Sequence, residues 1–64
     1  MNTEEIKLIL QTPINSTRNI AKRISTENLK KIIKEFELNP EEFEHKDVQT
    51  NYAIFKEELN LRLK

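Results

Sequence analysis

The chain has 64 residues, with no cysteine, no glycine and one histidine, and its 11 basic and 11 acidic residues give a formal charge of zero. This length predicts a single domain, residues 1–64, whose core is small for its surface. The composition excludes a disulfide staple, a Cys/His metal cluster and a cysteine nucleophile. Efficient helix packing and association with a partner or a second copy remain as sources of stability.

The N-terminal half predicts three short helices. Asn2 and Glu5 have the spacing of a capping box that opens a helix over about 3–11, which Pro13 ends. Asn15 or Ser16 is then expected to cap a second helix near 16–24, and residue 25 or 26 a third near 26–38. The third helix carries an apolar stripe at helical spacing, formed by Leu29, Ile32, Ile33 and Phe36.

The C-terminal half predicts a short helical turn and one longer helix. Asn39 is expected to cap the turn, with Pro40 at its first position, Glu42 completing a capping box and Phe43 anchoring it to the core. The last helix should run over about 47–63. Its predicted core face consists of Val48, Tyr52, Phe55, Leu59 and Leu63. The fold class is therefore all-α, a compact bundle of four to five short helices with a longer C-terminal helix.

Ile54 and Leu61 fall on nearly the opposite side of that last helix, seven residues apart. A chain this short has little material to cover a second apolar stripe. We therefore expect these two residues either to be sandwiched within the fold or to form an interface with a partner, including a homodimer through the C-terminal helix.

Charge is divided sharply along the chain. Residues 11–34 contain six basic residues and one acidic residue, a net charge of +5, and residues 35–47 contain six acidic residues and one basic residue, a net charge of −5. The basic set is Arg18, Lys22, Arg23, Lys30, Lys31 and Lys34. A basic face of this kind attracts phosphates or acidic protein, although both blocks are also compatible with plain solvated helix surfaces.

No arrangement in the sequence indicates catalysis. His45 stands between two charged residues in an expected loop, and the glutamates at 41, 42 and 44 lack the spacing and glycine turn of an EF-hand. We expect no enzyme, no cofactor and no metal site.

No apolar run reaches the ~20 residues of a membrane span, and the polar, acidic start does not resemble a signal peptide. We therefore expect a soluble cytoplasmic protein with no membrane partner.

Residues 25–43, which include the run ENLKKIIKEFELNPEEF, resemble the last two helices of Cro/CI-type (XRE) helix-turn-helix regulators. Residues 17–24 are similar to the second helix of that family, and residues 3–10 to its first, so the resemblance covers about two thirds of the chain. The chain departs from the family because it has no room for a turn and a separate recognition helix between 17–24 and 25–38. Either the third helix serves as the recognition helix, or the scaffold has lost DNA binding.

The resemblance implies a helix-turn-helix-like, non-enzymatic regulator of the kind found on phages and mobile elements. In this hypothesis the partner is DNA, the six basic side chains contact phosphates, and Asn28 reads an adenine edge. The alternative is a protein-binding modulator, an antirepressor or an inhibitor of a host or defence protein, anchored by Ile54 and Leu61. Its acidic block could mimic nucleic acid. A structural or oligomerisation domain is the third option.

Overall fold

The computed structural model describes residues 2–63, and every regular element within that range is helical. Helix α1 spans Thr3–Leu10, α2 spans Ile14–Arg23 and α3 spans Thr26–Leu38. A short 3₁₀ turn follows at Pro40–Glu42, and α4 spans Val48–Arg62. The predicted all-α bundle with a longer C-terminal helix is confirmed, since α4 is the longest element at 15 residues.

The start of α1 confirms the predicted capping box. The Glu5 amide donates to Oδ1 of Asn2 at 2.9 Å, and the Asn2 amide donates to Oε1 of Glu5 at 3.4 Å. Two of the four amides that a helix start leaves unpaired are therefore satisfied locally. The helix ends at Leu10, and Gln11 is its C-cap.

Helix α2 starts earlier than predicted. It begins at Ile14, directly after Pro13, and neither Asn15 nor Ser16 caps it; no side chain caps its first turn. The reason is the proline itself, because its φ of −54° already suits a helix entry and its missing N–H needs no partner. The Ser16 amide instead donates to the Pro13 carbonyl at 2.9 Å.

Helix α3 has the predicted bounds. Its N-cap is Ser25, whose Oγ accepts from the Asn28 amide at 3.2 Å. The four residues of the predicted stripe are all buried. Only Ile24 and Ser25 separate α2 from α3, and both have extended backbone angles.

The 3₁₀ turn is anchored as predicted but has no side-chain cap. Phe43 is buried, with its ring centroid 5.8 Å from that of Phe36. The predicted capping box is wrong: the Asn39 side chain makes no capping bond. Glu42 is used elsewhere, because its carboxylate accepts from Nζ of Lys7 on α1 at 3.3 Å.

Helix α4 lies at the centre of the bundle and packs against α1, α2 and α3. On its predicted core face Val48 and Phe55 are buried and Tyr52 and Leu59 are partly buried. Leu63 was predicted to join them, but it is 61% exposed. It lies one residue beyond the end of α4, where no described element covers it, and the buried polar residue Asn51 contributes to the core face instead.

Candidate interaction surfaces

The basic block of the chain stays free of internal partners. Its six side chains are all exposed, and none of them takes part in an ion pair among residues 2–63; they are Arg18, Lys22, Arg23, Lys30, Lys31 and Lys34. The ion pairs that do form use the cations Lys7, Lys56 and Arg62, all outside this block. The positive charge of residues 18–34 is therefore available to solvent and to a ligand.

The acidic block, by contrast, is partly engaged in contacts within the fold. Glu35 accepts from Oγ1 of Thr3 at 3.0 Å, and Glu42 accepts from Lys7. The Glu37 carboxylate accepts from the Tyr52 hydroxyl and from Nζ of Lys56. Those two bonds, with the Tyr52 hydroxyl the larger influence, lower the pKa of Glu37. Half of the acidic side chains of this block, those of Glu35, Glu37 and Glu42, thus make contacts between elements, whereas none of the six basic side chains does.

Three of the basic residues belong to the outer face of α3. At about 100° per residue, Lys30, Lys31 and Lys34 point away from the buried stripe of the same helix. Arg23 ends α2 and is separated from the start of α3 by two residues. Asn28, the predicted base reader, lies in the first turn of α3 with its side chain half-buried at the edge of this face.

The other two basic residues, Arg18 and Lys22, lie one turn apart on α2 and face α4. They line a groove between the two helices, which we call the α2–α4 groove. Its lining residues are Arg18, Ala21, Lys22, Ile54, Glu57, Glu58 and Leu61. The structure therefore divides the six predicted phosphate contacts between two surfaces.

The α2–α4 groove also brings together the two predicted interface residues. Ile54 is half-buried and packs against the core cluster, whereas Leu61 is 58% exposed. Packing within the fold, the first alternative raised by the sequence, therefore applies to Ile54, and the interface alternative stays a prediction for Leu61. Ile54 packs mainly against the core of its own chain. The apolar side chain of Leu61 lies in solvent, beside charged residues.

Arg62 is a structural residue that the sequence patterns did not reveal. Its guanidinium donates to the carbonyls at the end of α2, namely Ala21 at 2.8 Å, Lys22 at 3.2 Å and Ile24 at 2.7 Å. Nε of Arg62 also donates to Glu58 at 2.9 Å. A cation at the carbonyl end of a helix is favourable because those carbonyls lack partners within the helix. Arg62 therefore fixes the two-residue connection between α2 and α3.

The described part of the chain contains no group of three or more His, Cys, Asp or Glu side chains placed to hold a metal ion. His45 is exposed, and its Nδ1 accepts from the Asp47 amide at 3.2 Å. None of the helices within residues 2–63 is long and apolar enough to cross a bilayer.

Comparison with known proteins gives no match: no family model, no curated protein and no solved structure is similar to this chain at a significant level.

Proposed function

We propose that this chain is a non-enzymatic, DNA-binding regulator of the type that the Cro/CI resemblance implies, with α3 as its recognition helix. One observation carries the proposal: all six cations of the basic block are exposed and lack an ion-pair partner in the described chain, while three of the six acids of the acidic block are hydrogen-bonded within the fold. Unpaired surface cations that neutralise phosphates displace the counterions condensed on DNA, which drives DNA binding.

The proposed DNA face combines phosphate contacts with one base contact. Its phosphate contacts are Arg23, Lys30, Lys31 and Lys34, which extend from the end of α2 along the outer side of α3. Asn28 is the third residue of α3, near the helix N-terminus, the part of a recognition helix that approaches base edges. A carboxamide suits the donor and acceptor pattern of adenine in the major groove.

The α2–α3 pair differs from a usual helix-turn-helix in what holds it. Both helices pack on α4 more extensively than on each other. The short connection is instead held by Arg62, which bonds carbonyls on α2 and approaches Oγ1 of Thr26 at 3.3 Å. A rigid connection of this kind supports presentation of α3 at a defined angle, as a recognition helix requires.

The experiment is a salt series with random-sequence duplex DNA. Four phosphate contacts predict a slope of about −3.6 for log K against log salt, from roughly −0.9 per phosphate. Lys31→Ala should reduce the slope by about 1. Lys46→Ala is the matched control, because Lys46 is also exposed and unpaired within residues 2–63 but lies in the acidic block.

A chain that fails to bind duplex DNA at ~50 mM salt would contradict the proposal, because non-specific affinity is strongest at low salt. That result would favour the second candidate function, a modulator that binds a regulatory or defence protein. The observation in its favour is the α2–α4 groove, with Leu61 exposed among charged side chains.

A further inference from the structure

The α2–α4 groove has walls of opposite charge. On the α2 side lie Arg18 and Lys22, and on the α4 side lies Glu57; all three are exposed, and none has an ion-pair partner among residues 2–63. Glu58, also on the α4 side, is already paired with Arg62. The apolar surface between the walls includes Ile54 and Leu61.

The helices that form the groove run in the same direction. Thr17, near the start of α2, bonds Asn51 near the start of α4 at 2.7 Å. Arg62, the last residue of α4, bonds the carbonyls at the end of α2. Arg18 and Lys22 therefore follow each other along the groove in the same direction as Ile54 and Leu61.

We propose that a second copy of this chain docks on the α2–α4 groove, related by a two-fold axis parallel to α2 and α4. Such an axis places α4 of each copy opposite α2 of the other, with no change of level along the helices. Glu57 of one copy then faces Arg18 and Lys22 of the other, twice over. A two-fold axis that lies in the interface and is perpendicular to the helices would instead oppose α4 to α4, so that Glu57 of each copy would face the α4 side of the other and not its basic side.

Charge complementarity is what selects a second copy as the occupant. An isologous interface must be self-complementary, and this surface carries both signs on opposite sides of an apolar centre. Leu61 of each copy would cover the aliphatic stem of the other copy's Lys22, which removes apolar surface from water. Dimerisation also supplies burial that a 64-residue chain without disulfides needs.

In this dimer the residues of the basic block have two different roles. Arg18 and Lys22 serve pairing, while Arg23 and the lysines of α3 remain outside the interface. The inference does not rest on DNA binding, since it concerns the free protein, and its test contains no DNA.

The test is sedimentation equilibrium of the chain and two charge-reversed variants over a concentration series. The native chain should approach the mass of a dimer. Glu57→Lys and the double variant Arg18→Glu/Lys22→Glu should each weaken self-association by about tenfold or more, because like charges then face each other. An equimolar mixture of the two variants should recover the dimer mass, since each interface half is again complementary. Glu44→Lys, on an exposed loop, is the control and should leave the mass unchanged.

Two results would overturn the inference. One is a monomer mass for the native chain at every concentration, a measurement that needs no variant to fold. The other is a dimer that both reversed variants retain, which would put the interface elsewhere. Circular dichroism of each variant checks that a lower apparent mass is not caused by loss of helical structure.

Leu61→Glu should also lower the apparent mass while the helicity stays intact. A loss of helicity would instead assign Leu61 to the core of the single chain.

Discussion

Oγ1 of Thr17, on α2, donates a hydrogen bond of 2.7 Å to Oδ1 of Asn51, on α4. Nδ2 of Asn51 donates in turn to the carbonyls of Leu10 at 2.7 Å and Thr12 at 2.8 Å. Both side chains are fully buried. One carboxamide therefore joins the end of α1, the α1–α2 loop and α2 to the central helix, and every polar atom it brings into the core has a partner.

Asn51→Ala should lower the free energy of unfolding by about 2–4 kcal/mol, because it leaves the Leu10 and Thr12 carbonyls without their donor. Thr17→Val, which keeps the shape and removes one hydroxyl, should cost about 1–2 kcal/mol. Urea unfolding followed by circular dichroism gives both values. Equal costs for the two variants would show that the two carbonyls find other partners.

Arg62→Ala should destabilise the chain by about 2 kcal/mol, because bonds from a charged donor to carbonyls at the end of a helix are lost. Arg62→Lys should recover only part of this, since an ammonium cannot reproduce the planar fork of donors. The loss of protection from amide exchange should be local. Amide exchange should accelerate in the last turn of α2 and at Ile24 before it does so in α1. Uniform acceleration would indicate that Arg62 contributes to global stability without fixing this connection.

The contacts of Glu37 predict a pH dependence of stability. Its pKa is lowered by the bonds from Tyr52 and Lys56, so its contribution is complete above the ordinary value of 4.5 and is lost as the pH falls through the lowered value. The pKa of Lys56 is raised, first by its bond to Tyr52, so that contribution is lost only as the pH rises through a value above 10.5.

Glu37→Gln should therefore be less stable than the native chain at neutral pH, and the difference should shrink as the pH falls below 4.5. Urea midpoints between pH 2 and 7 provide the measurement. Glu44→Gln is the control, since the Glu44 side chain makes no hydrogen bond in the described chain. A difference that grows toward acid pH would contradict the assigned sign.

Two leucines of α3 provide a matched test of the core. Leu29 is fully buried and Leu38 is 64% exposed, although both lie on the same helix. Leu29→Ala should cost about 3 kcal/mol, through lost burial and the cavity that remains, and Leu38→Ala less than about 0.5 kcal/mol. The two values come from denaturant unfolding. Similar costs for both would mean that Leu38 is covered in solution, for example by another chain.

Local signals predicted most of the helix boundaries. The Asn2–Glu5 box and the Ser25 cap act over three residues, and the stripe of α3 repeats at helical spacing, so these features can be found without knowledge of the fold. The error at α2 had a local cause too, because Pro13 began the helix in place of the side chains after it. Asn39 and Pro40 hold the predicted first positions of the 3₁₀ turn, but the capping box does not form, because the Glu42 carboxylate is bound by Lys7 on α1.

Local signals of this kind could not predict the tertiary contacts. Asn51 and Arg62 bond residues that lie 34 to 41 positions away, and neither residue type carries a pattern that identifies its partner. A polar residue on the core side of α4 was the one available clue to Asn51. Division of the basic block between α3 and the α2–α4 groove likewise depends on how α4 packs, which the charge pattern along the chain does not contain.

The position of α4 has a consequence for how the chain acquires its structure during synthesis. The groups that secure α1 and α2, namely Asn51 and Arg62, are translated after both helices. While residues 48–62 remain in the ribosomal tunnel, the earlier helices have neither their central packing surface nor the donors for their terminal carbonyls. We therefore expect the nascent chain to stay unfolded until α4 emerges and then to fold in one cooperative step.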